Sequence, residues 1–245
     1  MLVRRPFQVV GLQEVADRTW SLRLRQTDGP AFEYQAGQFA WIKTGSAHSL
    51  HDHPFSIATA PKPLSNDKGS VELGFLIKAV GDFTGSLTRQ CPVGQTVYLD
   101  GPYGTFGRGL VQTPRLLLVA GGIGLAPLLS VLRARRDWAM ATPQTLQTHL
   151  IVGHRHPGQF FCDDELIDTP GLGLRVDRLV SEPTDQWRGL VGQTDAHGLI
   201  PLLPQDPAGW QALVCGPPAM MQTAQSVLMS KGFDDRQIHT ETFKT

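Results

Sequence analysis

The run Leu116-Leu117-Leu118-Val119-Ala120, with Arg115 before it and Gly121-Gly122-Ile123-Gly124 directly after, constrains the chain more than any other stretch. Consecutive apolar residues leave no polar face, so a strand here must be covered on both sides, as in a parallel sheet flanked by helices. Gly121, Gly122 and Gly124 then form a turn without Cβ atoms. Its backbone can approach a phosphate closely, and the first amides of a following helix point at such an anion. Pro127 stands where a first helical turn tolerates a missing N–H, and Leu128, Leu129, Val131 and Leu132 continue at helical spacing. The stretch reads as strand, turn and helix. It departs from the G-x-G-x-x-G fingerprint, and the next apolar strand, His149 to Arg155, ends in His154 and Arg155 rather than in the acidic residue that the fingerprint requires. A phosphate cradle and a plain glycine turn both remain open on these residues alone.

The chain on either side of residues 112–114 obeys different periods. From residue 6 to about 110, short alternating stretches are broken by turn residues, most clearly where Trp20, Leu22 and Leu24 alternate with Ser21, Arg23 and Arg25. With Phe7 to Val15, Gln38 to Lys43, Pro54 to Thr59, Val71 to Val80 and Thr96 to Asp100, these predict a six-stranded antiparallel barrel. A short helix is expected over Gly85 to Gln90. Gln112-Thr113-Pro114 is a polar, proline-ended connection, which places the expected domains at 1–111 and 115–245. Beyond it strands at 116–120, 148–154, 174–180, 211–215 and 237–243 alternate with helices at 127–138, near 163–168 and at 218–231. That succession predicts an α/β domain with a parallel sheet, and 245 residues suffice for two modest cores.

Several function classes are disfavoured. Lys plus Arg equals Asp plus Glu at 22 each, with no basic half, so no nucleic-acid partner is expected. No apolar run approaches the ~18 residues of a membrane span, and no apolar segment behind Arg4-Arg5 suggests a signal peptide. Cys91, Cys162 and Cys215 are far apart, which argues against a CxxC pair or a disulfide framework and for a reducing, cytoplasmic setting. His149, His154 and His156 read as a solvated strand end, and no metal site is expected.

His53-Pro54-Phe55-Ser56, Ile77-Lys78-Ala79-Val80-Gly81-Asp82-Phe83-Thr84, Asp100-Gly101-Pro102-Tyr103-Gly104, the Gly-Gly-Ile-Gly loop, Val214-Cys215-Gly216-Pro217 and Glu241-Thr242-Phe243 occur in this order. Over nearly the whole chain they resemble the ferredoxin–NADP reductase superfamily. The His-Pro-Phe-Ser and Gly-Asp-Phe-Thr forms are most similar to the flavin domains of ferric reductases and NADPH oxidases. The resemblance implies an FAD-binding first domain and a second domain for NAD(P)H. Phe55 would lie along the isoalloxazine, Ser56 would offer its hydroxyl to flavin N5, and His53, beside Pro54, would stand where an arginine often meets the FAD diphosphate. Ile77, Lys78 and Thr84 are implied as further neighbours of that diphosphate. Gly121, Gly122, Ile123, Gly124 and Pro127 would receive the nicotinamide dinucleotide, with Cys215, Gly216 and Pro217 beside the nicotinamide and Cys215 against its C4. Glu241 and Phe243 resemble the C-terminal acidic and aromatic residues near the flavin, although the chain runs two residues past Phe243.

The resulting expectation is a flavin oxidoreductase in which Ser56, Cys215 and Glu241 serve the hydride step. The alternative is a non-catalytic FAD-binding regulatory or redox-sensing subunit. Glu182, in Leu179-Val180-Ser181-Glu182-Pro183, offers a carboxylate where NADP-selective relatives carry a Ser-Arg pair, so NADH is favoured, with Arg155 and Arg188 as the opposing residues. The electron acceptor stays open among a haem partner, ferric iron and others. A haem-bearing membrane protein, met at the cytoplasmic face, is the expectation drawn from the ferric-reductase-like forms.

Overall fold

The computed structural model describes residues 4–44, 53–61, 71–80 and 82–242, with backbone alone at 82, 83, 87 and 88. Its first half contains β1 (Arg5–Ala16), β2 (Thr19–Gln26), β3 (Phe39–Lys43), β4 (His53–Ser56), β5 (Glu72–Lys78), the one-turn helices α1 (Asp82–Gly85) and α2 (Leu87–Gln90), and β6 (Thr96–Tyr103). All pairings are antiparallel, in the order β4-β3-β6-β1-β2-β5. The two outer strands meet: Ile57 bridges Phe75, and the Ala58 N–H donates to the Gly74 carbonyl at 2.8 Å. The sheet thereby curls into a barrel. The alternation at β2 sorts as expected, with Leu22 and Leu24 inside beside Phe7, Val9 and Leu99, and Arg23 and Arg25 outside. Each side chain so buried stabilises the barrel by roughly 1.5–3 kcal/mol.

The second half contains β7 (Arg115–Gly121), α3 (Leu125–Ala141), β8 (Gln147–His154), β9 (Leu174–Val180), β10 (Leu190–Val191), α4 (Ala196–Leu199), β11 (Trp210–Cys215), α5 (Pro218–Ser230) and β12 (Ile238–Glu241). The six strands are all parallel, in the order β10-β9-β8-β7-β11-β12. The apolar run of β7 has the cause inferred from its composition. Leu116, Leu118 and Ala120 pack with α3 on one face, whereas Leu117 and Val119 join Met221, Ala224 and Leu228 of α5 on the other. The first two turns of α3, residues 125–132, are buried all round because they are covered twice, by their own sheet and by Ala36, Ala58, Leu76 and Phe106 of the first half.

Three expectations need correction. The helix near 163–168 is only a 3-10 turn, Asp163–Glu165, entered through Cys162 at φ 59°. Asp168 ends it by turning back to accept the Thr169 and Leu174 amides. Strand β10 and helix α4 were not foreseen, being too short for periodicity to register. The histidines of β8 are not a solvated strand end: His149 and His154 are buried, the first bonded to Asp177 at 2.7 Å and the second set edge-on to Phe160 at 4.6 Å. Burial holds both below the usual histidine range, His154 to about 4.

Candidate functional site

The parallel sheet reverses its order between β7 and β11, since the chain builds outward through β8, β9 and β10 before returning to lay down β11 and β12. Crevices for ligands open at the carboxyl ends of the strands at such a reversal. Two glycine turns line this one. Gly121-Gly122-Ile123-Gly124 leaves β7 and leads straight into α3, and Gly216-Pro217 leaves β11 and leads into α5. They lie so close that a Cβ on Gly124 would stand 2.2 Å from the Cys215 carbonyl oxygen, and one on Gly216 would stand 3.0 Å from the Gly121 Cα. Gly122, at φ +55°, faces open space. Its position permits a left-handed residue and a close approach from outside, as a dinucleotide requires. Pro127 lies in the first turn of α3 and is buried.

The flavin motif is built on β4, whose register on β3 sets Phe39 against Ser56 and Trp41 against Pro54. His53 and Phe55 stand on one side of the strand with ring centres 6.4 Å apart. Ser56 is buried, and its Oγ has no hydrogen-bond partner. A second orphan belongs to Glu241 at the end of β12, whose Oε2 is buried and also unpartnered. Burial raises the Glu241 carboxyl to about 7. The two are linked through one corner of the barrel. A Cβ on Gly104 would meet both the Phe39 ring, at 3.2 Å, and Glu241 Oε1, at 3.3 Å, and Phe39 is the cross-strand partner of Ser56. Glu241 is in turn aligned with Cys215 across β11 and β12, and its carbonyl lies 3.5 Å from the Cys215 sulfur. Burial and the nearby Glu241 carboxylate push the Cys215 thiol far up, so it stays protonated and acts as a small apolar wall.

The remaining sequence candidates are placed unequally. Ile77 is buried in the barrel core, so only its main chain faces a ligand. Lys78 ends β5 near His154, whose protonation it opposes. Thr84 Oγ1 accepts the Val80 amide at 2.9 Å, folding the loop before α1 back on itself. Arg155 and Glu182 end up together, Nε to Oε1 at 2.5 Å, on the rim beyond β8 and β9, and His156 reaches the other Glu182 oxygen at 3.5 Å. Phe243 lies outside the described residues. Sequence reasoning missed the polar contacts that join the two halves. Arg133 donates to the Ala58 carbonyl and to both oxygens of Glu165, and Ser130 donates to the Thr59 carbonyl. No local signal marks them, because their partners lie tens of residues away.

Buried polar atoms without partners on β4 and β12 suit a polar ring system at this corner, and the glycine turns suit a dinucleotide backbone. A barrel and a parallel sheet meeting at these two sites define a two-domain protein of the flavin- and nicotinamide-dinucleotide-binding class. Residues 5–106 match the family described as FAD-binding domain, and residues 118–226 that described as Oxidoreductase NAD-binding domain. The chain belongs to the ferredoxin–NADP reductase superfamily. It is 29% identical over 231 residues to the reductase component of propane 2-monooxygenase from Rhodococcus jostii (strain RHA1), covering 91% of this chain and 59% of that protein. It is 27% identical over 197 residues to NADH-cytochrome b5 reductase 1 of Emericella nidulans, covering 76% and 62%. It thus spans less than two thirds of the length of these relatives. The solved ferredoxin reductase in carbazole 1,9a-dioxygenase superposes with a TM-score of 0.80 at 27% identity, over 99% of this chain and 70% of that one. These likenesses show kinship at the level of the superfamily.

Proposed function

We propose that the chain is an FAD-dependent NAD(P)H oxidoreductase, with the flavin on residues 1–111 and the nicotinamide coenzyme on 115–245. The observation that carries the reading is the meeting of the two half-sites. The orphaned Ser56 hydroxyl and Glu241 carboxyl lie at the corner where the barrel touches the end of the glycine-lined sheet. When bound, the cofactors would supply hydride chemistry, with a reduced nicotinamide as donor and the flavin as acceptor. The chain's task is placement. Phe55 offers an aromatic face to a flat ring, and Ser56 offers a hydroxyl donor. His53, Lys78 and Thr84 would flank the diphosphate, and Gly121 to Gly124 would admit the second dinucleotide. Glu241, protonated below about pH 7, holds a proton beside the flavin edge. Cys215 closes the nicotinamide side without ionising.

The coenzyme is NADH in this reading. Arg155, a cation suited to a 2′-phosphate, is already engaged by Glu182, and a phosphate brought there would meet a carboxylate. The name of the Emericella relative points the same way. The one-electron acceptor lies outside residues 1–245. Three cysteines cannot supply the four ligands of an iron–sulfur cluster, and no helix among the described residues is long and apolar enough to cross a membrane. A haem-bearing membrane protein remains the proposed acceptor, on the His-Pro-Phe-Ser and Gly-Asp-Phe-Thr forms.

The deciding experiment is the absorption spectrum of the purified chain before and after anaerobic NADH. A flavin spectrum that bleaches, with flavin released on acid precipitation, is expected. A colourless chain that takes up no FAD overturns the proposal, and bound flavin that neither coenzyme reduces favours the regulatory alternative. A kcat/KM at least tenfold higher for NADPH overturns the coenzyme assignment. Reduction of a soluble ferric chelate at ~10⁶ M⁻¹s⁻¹ or more removes the need for a haem partner.

A further inference from the structure

The segment that follows the flavin strand is bolted to the helix that follows the dinucleotide loop. Ala58 and Thr59 come directly after Ser56 and Ile57, and their carbonyls are taken by α3. Arg133 Nη1 donates to the Ala58 oxygen at 2.7 Å, and Ser130 Oγ donates to the Thr59 oxygen at 2.7 Å. Arg133 is held from behind by Glu165, Nε to Oε2 at 2.7 Å and Nη2 to Oε1 at 2.6 Å, a two-pronged contact that fixes the plane of the guanidinium. Tyr34 secures the same segment from the barrel side, its hydroxyl donating to the Ala60 carbonyl at 2.7 Å. Ser130 is fully buried, and Arg133 keeps 21% of its side-chain surface exposed.

Two further features make these bonds more than packing. The first is reach. Ser130 and Arg133 lie six and nine residues beyond Gly124 on one continuous helix, roughly 9 and 14 Å along its axis. The carbonyls they hold are two and three residues beyond Ser56, within roughly 7 to 10 Å of it. A displacement at the clamp is therefore passed almost undiminished to both half-sites. The second is the gap alongside. A cleft of about 490 Å³, lined by Glu14, Arg23, Ala58, Thr59, Arg133 and Glu165 among others, separates the barrel wall from the 3-10 turn at Asp163–Glu165. Ala58 and Leu76 pack against α3 beside the cleft, but across the cleft itself the two halves are joined by hydrogen bonds.

We propose that Arg133 and Ser130 are positioning residues for hydride transfer. By tying α3 to the carbonyls of Ala58 and Thr59 they set the separation between the flavin strand and the dinucleotide loop. The proposal rests on the flavin–nicotinamide reading above. Neither residue touches a cofactor. Their effect is on distance, to which a near-attack arrangement is steeply sensitive: a misplacement of about 1 Å costs on the order of 100-fold in rate.

The test uses the full chain with Arg133→Met, Ser130→Ala and Arg133→Lys, the last keeping a donor for the Ala58 carbonyl. Three quantities are measured: FAD and NADH dissociation constants, the flavin reduction rate at saturating NADH, and deuterium uptake of the cofactor-free chain over residues 57–61 and 122–134. Arg133→Met and Ser130→Ala are expected to slow saturated reduction by ~10–100-fold, with both dissociation constants within about threefold of the parent. Uptake should rise in both segments together, and Arg133→Lys should recover part of the rate. A lower melting temperature with an unchanged saturated rate overturns the proposal, since the bonds then serve stability alone. If Arg133→Met does not fold, Ser130→Ala, which removes one hydroxyl, decides the matter. If the parent chain takes up no flavin, it is the preceding reading that fails. Exchange in the cofactor-free chain still judges the clamp, which is overturned by unaltered uptake in Ser130→Ala.

Discussion

Replacing Glu241 by Gln should change how the stability of the cofactor-free chain depends on pH. Glu241 ends β12 with Oε2 buried and unpartnered, and burial raises its carboxyl from 4.5 to about 7. An acid whose folded-state pKa lies above its unfolded value binds more protons in the native state. Its stabilising contribution is complete below about pH 4.5 and is lost as pH rises through 7. The full difference between those values corresponds to about 3 kcal/mol. Of this, about 2.5 kcal/mol falls between roughly pH 5 and pH 8.5, which for a chain of this size is a change of about 5–10 °C in melting temperature. Glu241→Gln keeps the shape and removes the titration. Cys215, the one neighbour whose thiol Glu241 helps to raise, stays protonated by its burial over this range in both proteins, so the difference between the two isolates this carboxyl. Urea unfolding at the two pH values should show the variant gaining about 2.5 kcal/mol on the parent at the higher pH. Parallel pH profiles would mean that Glu241 is ionised and solvated throughout, and a proton held beside the flavin edge near neutrality would have to be given up.

Three other substitutions test the site and its frame. Ser56→Ala removes a buried hydroxyl without a partner, so the cofactor-free chain should be as stable as the parent or more so, while flavin reduction slows about tenfold for a lost hydrogen bond of about 1.5 kcal/mol; an unchanged reduction rate contradicts the role given to that hydroxyl. Gly124→Ala would set a methyl 2.2 Å from the Cys215 carbonyl oxygen. It should cost more than about 4 kcal/mol or yield insoluble protein, and a melt close to the parent's would show that the two glycine turns are not in contact. Arg135→Met removes a fully buried guanidinium whose Nη1 lies 2.9 Å from the Val111 carbonyl and 2.8 Å from the Thr113 carbonyl, with Thr148 Oγ1 taking Nε. With no ion pair for Arg135 among the described residues, the expected loss is about 3 kcal/mol, or roughly 6–12 °C. An unshifted melt would mean that desolvating a lone cation cancels its bonds.

What the amino-acid order settles by itself is whatever is decided within a few residues. Apolar runs and alternations place the strands of both sheets, because burial on one face or two leaves a period in the sequence. Gly121-Gly122-Ile123-Gly124 announces its turn, because the lack of Cβ atoms is a local property. Where the local signal is short or ambiguous the reading fails. Asp163-Asp164-Glu165 looked like a helix start but is only one turn before Asp168 redirects the chain, and the two residues of β10 carry no period. His149 and His154 looked solvated because their covering partners, Asp177 and Phe160, lie on other segments.

Only the tertiary structure decides the chemistry of the site. The orphaning of Ser56 and Glu241, the shielding of Cys215 and the pairing of Arg155 with Glu182 each depend on strands brought together from distant parts of the chain. The same holds for the clamp from Arg133 to Ala58, formed across 75 positions. A side chain's identity is written in the sequence. Its solvation, its charge state and its distance from a partner are properties of the space around it, and that space exists only once a barrel and a parallel sheet have closed on one another.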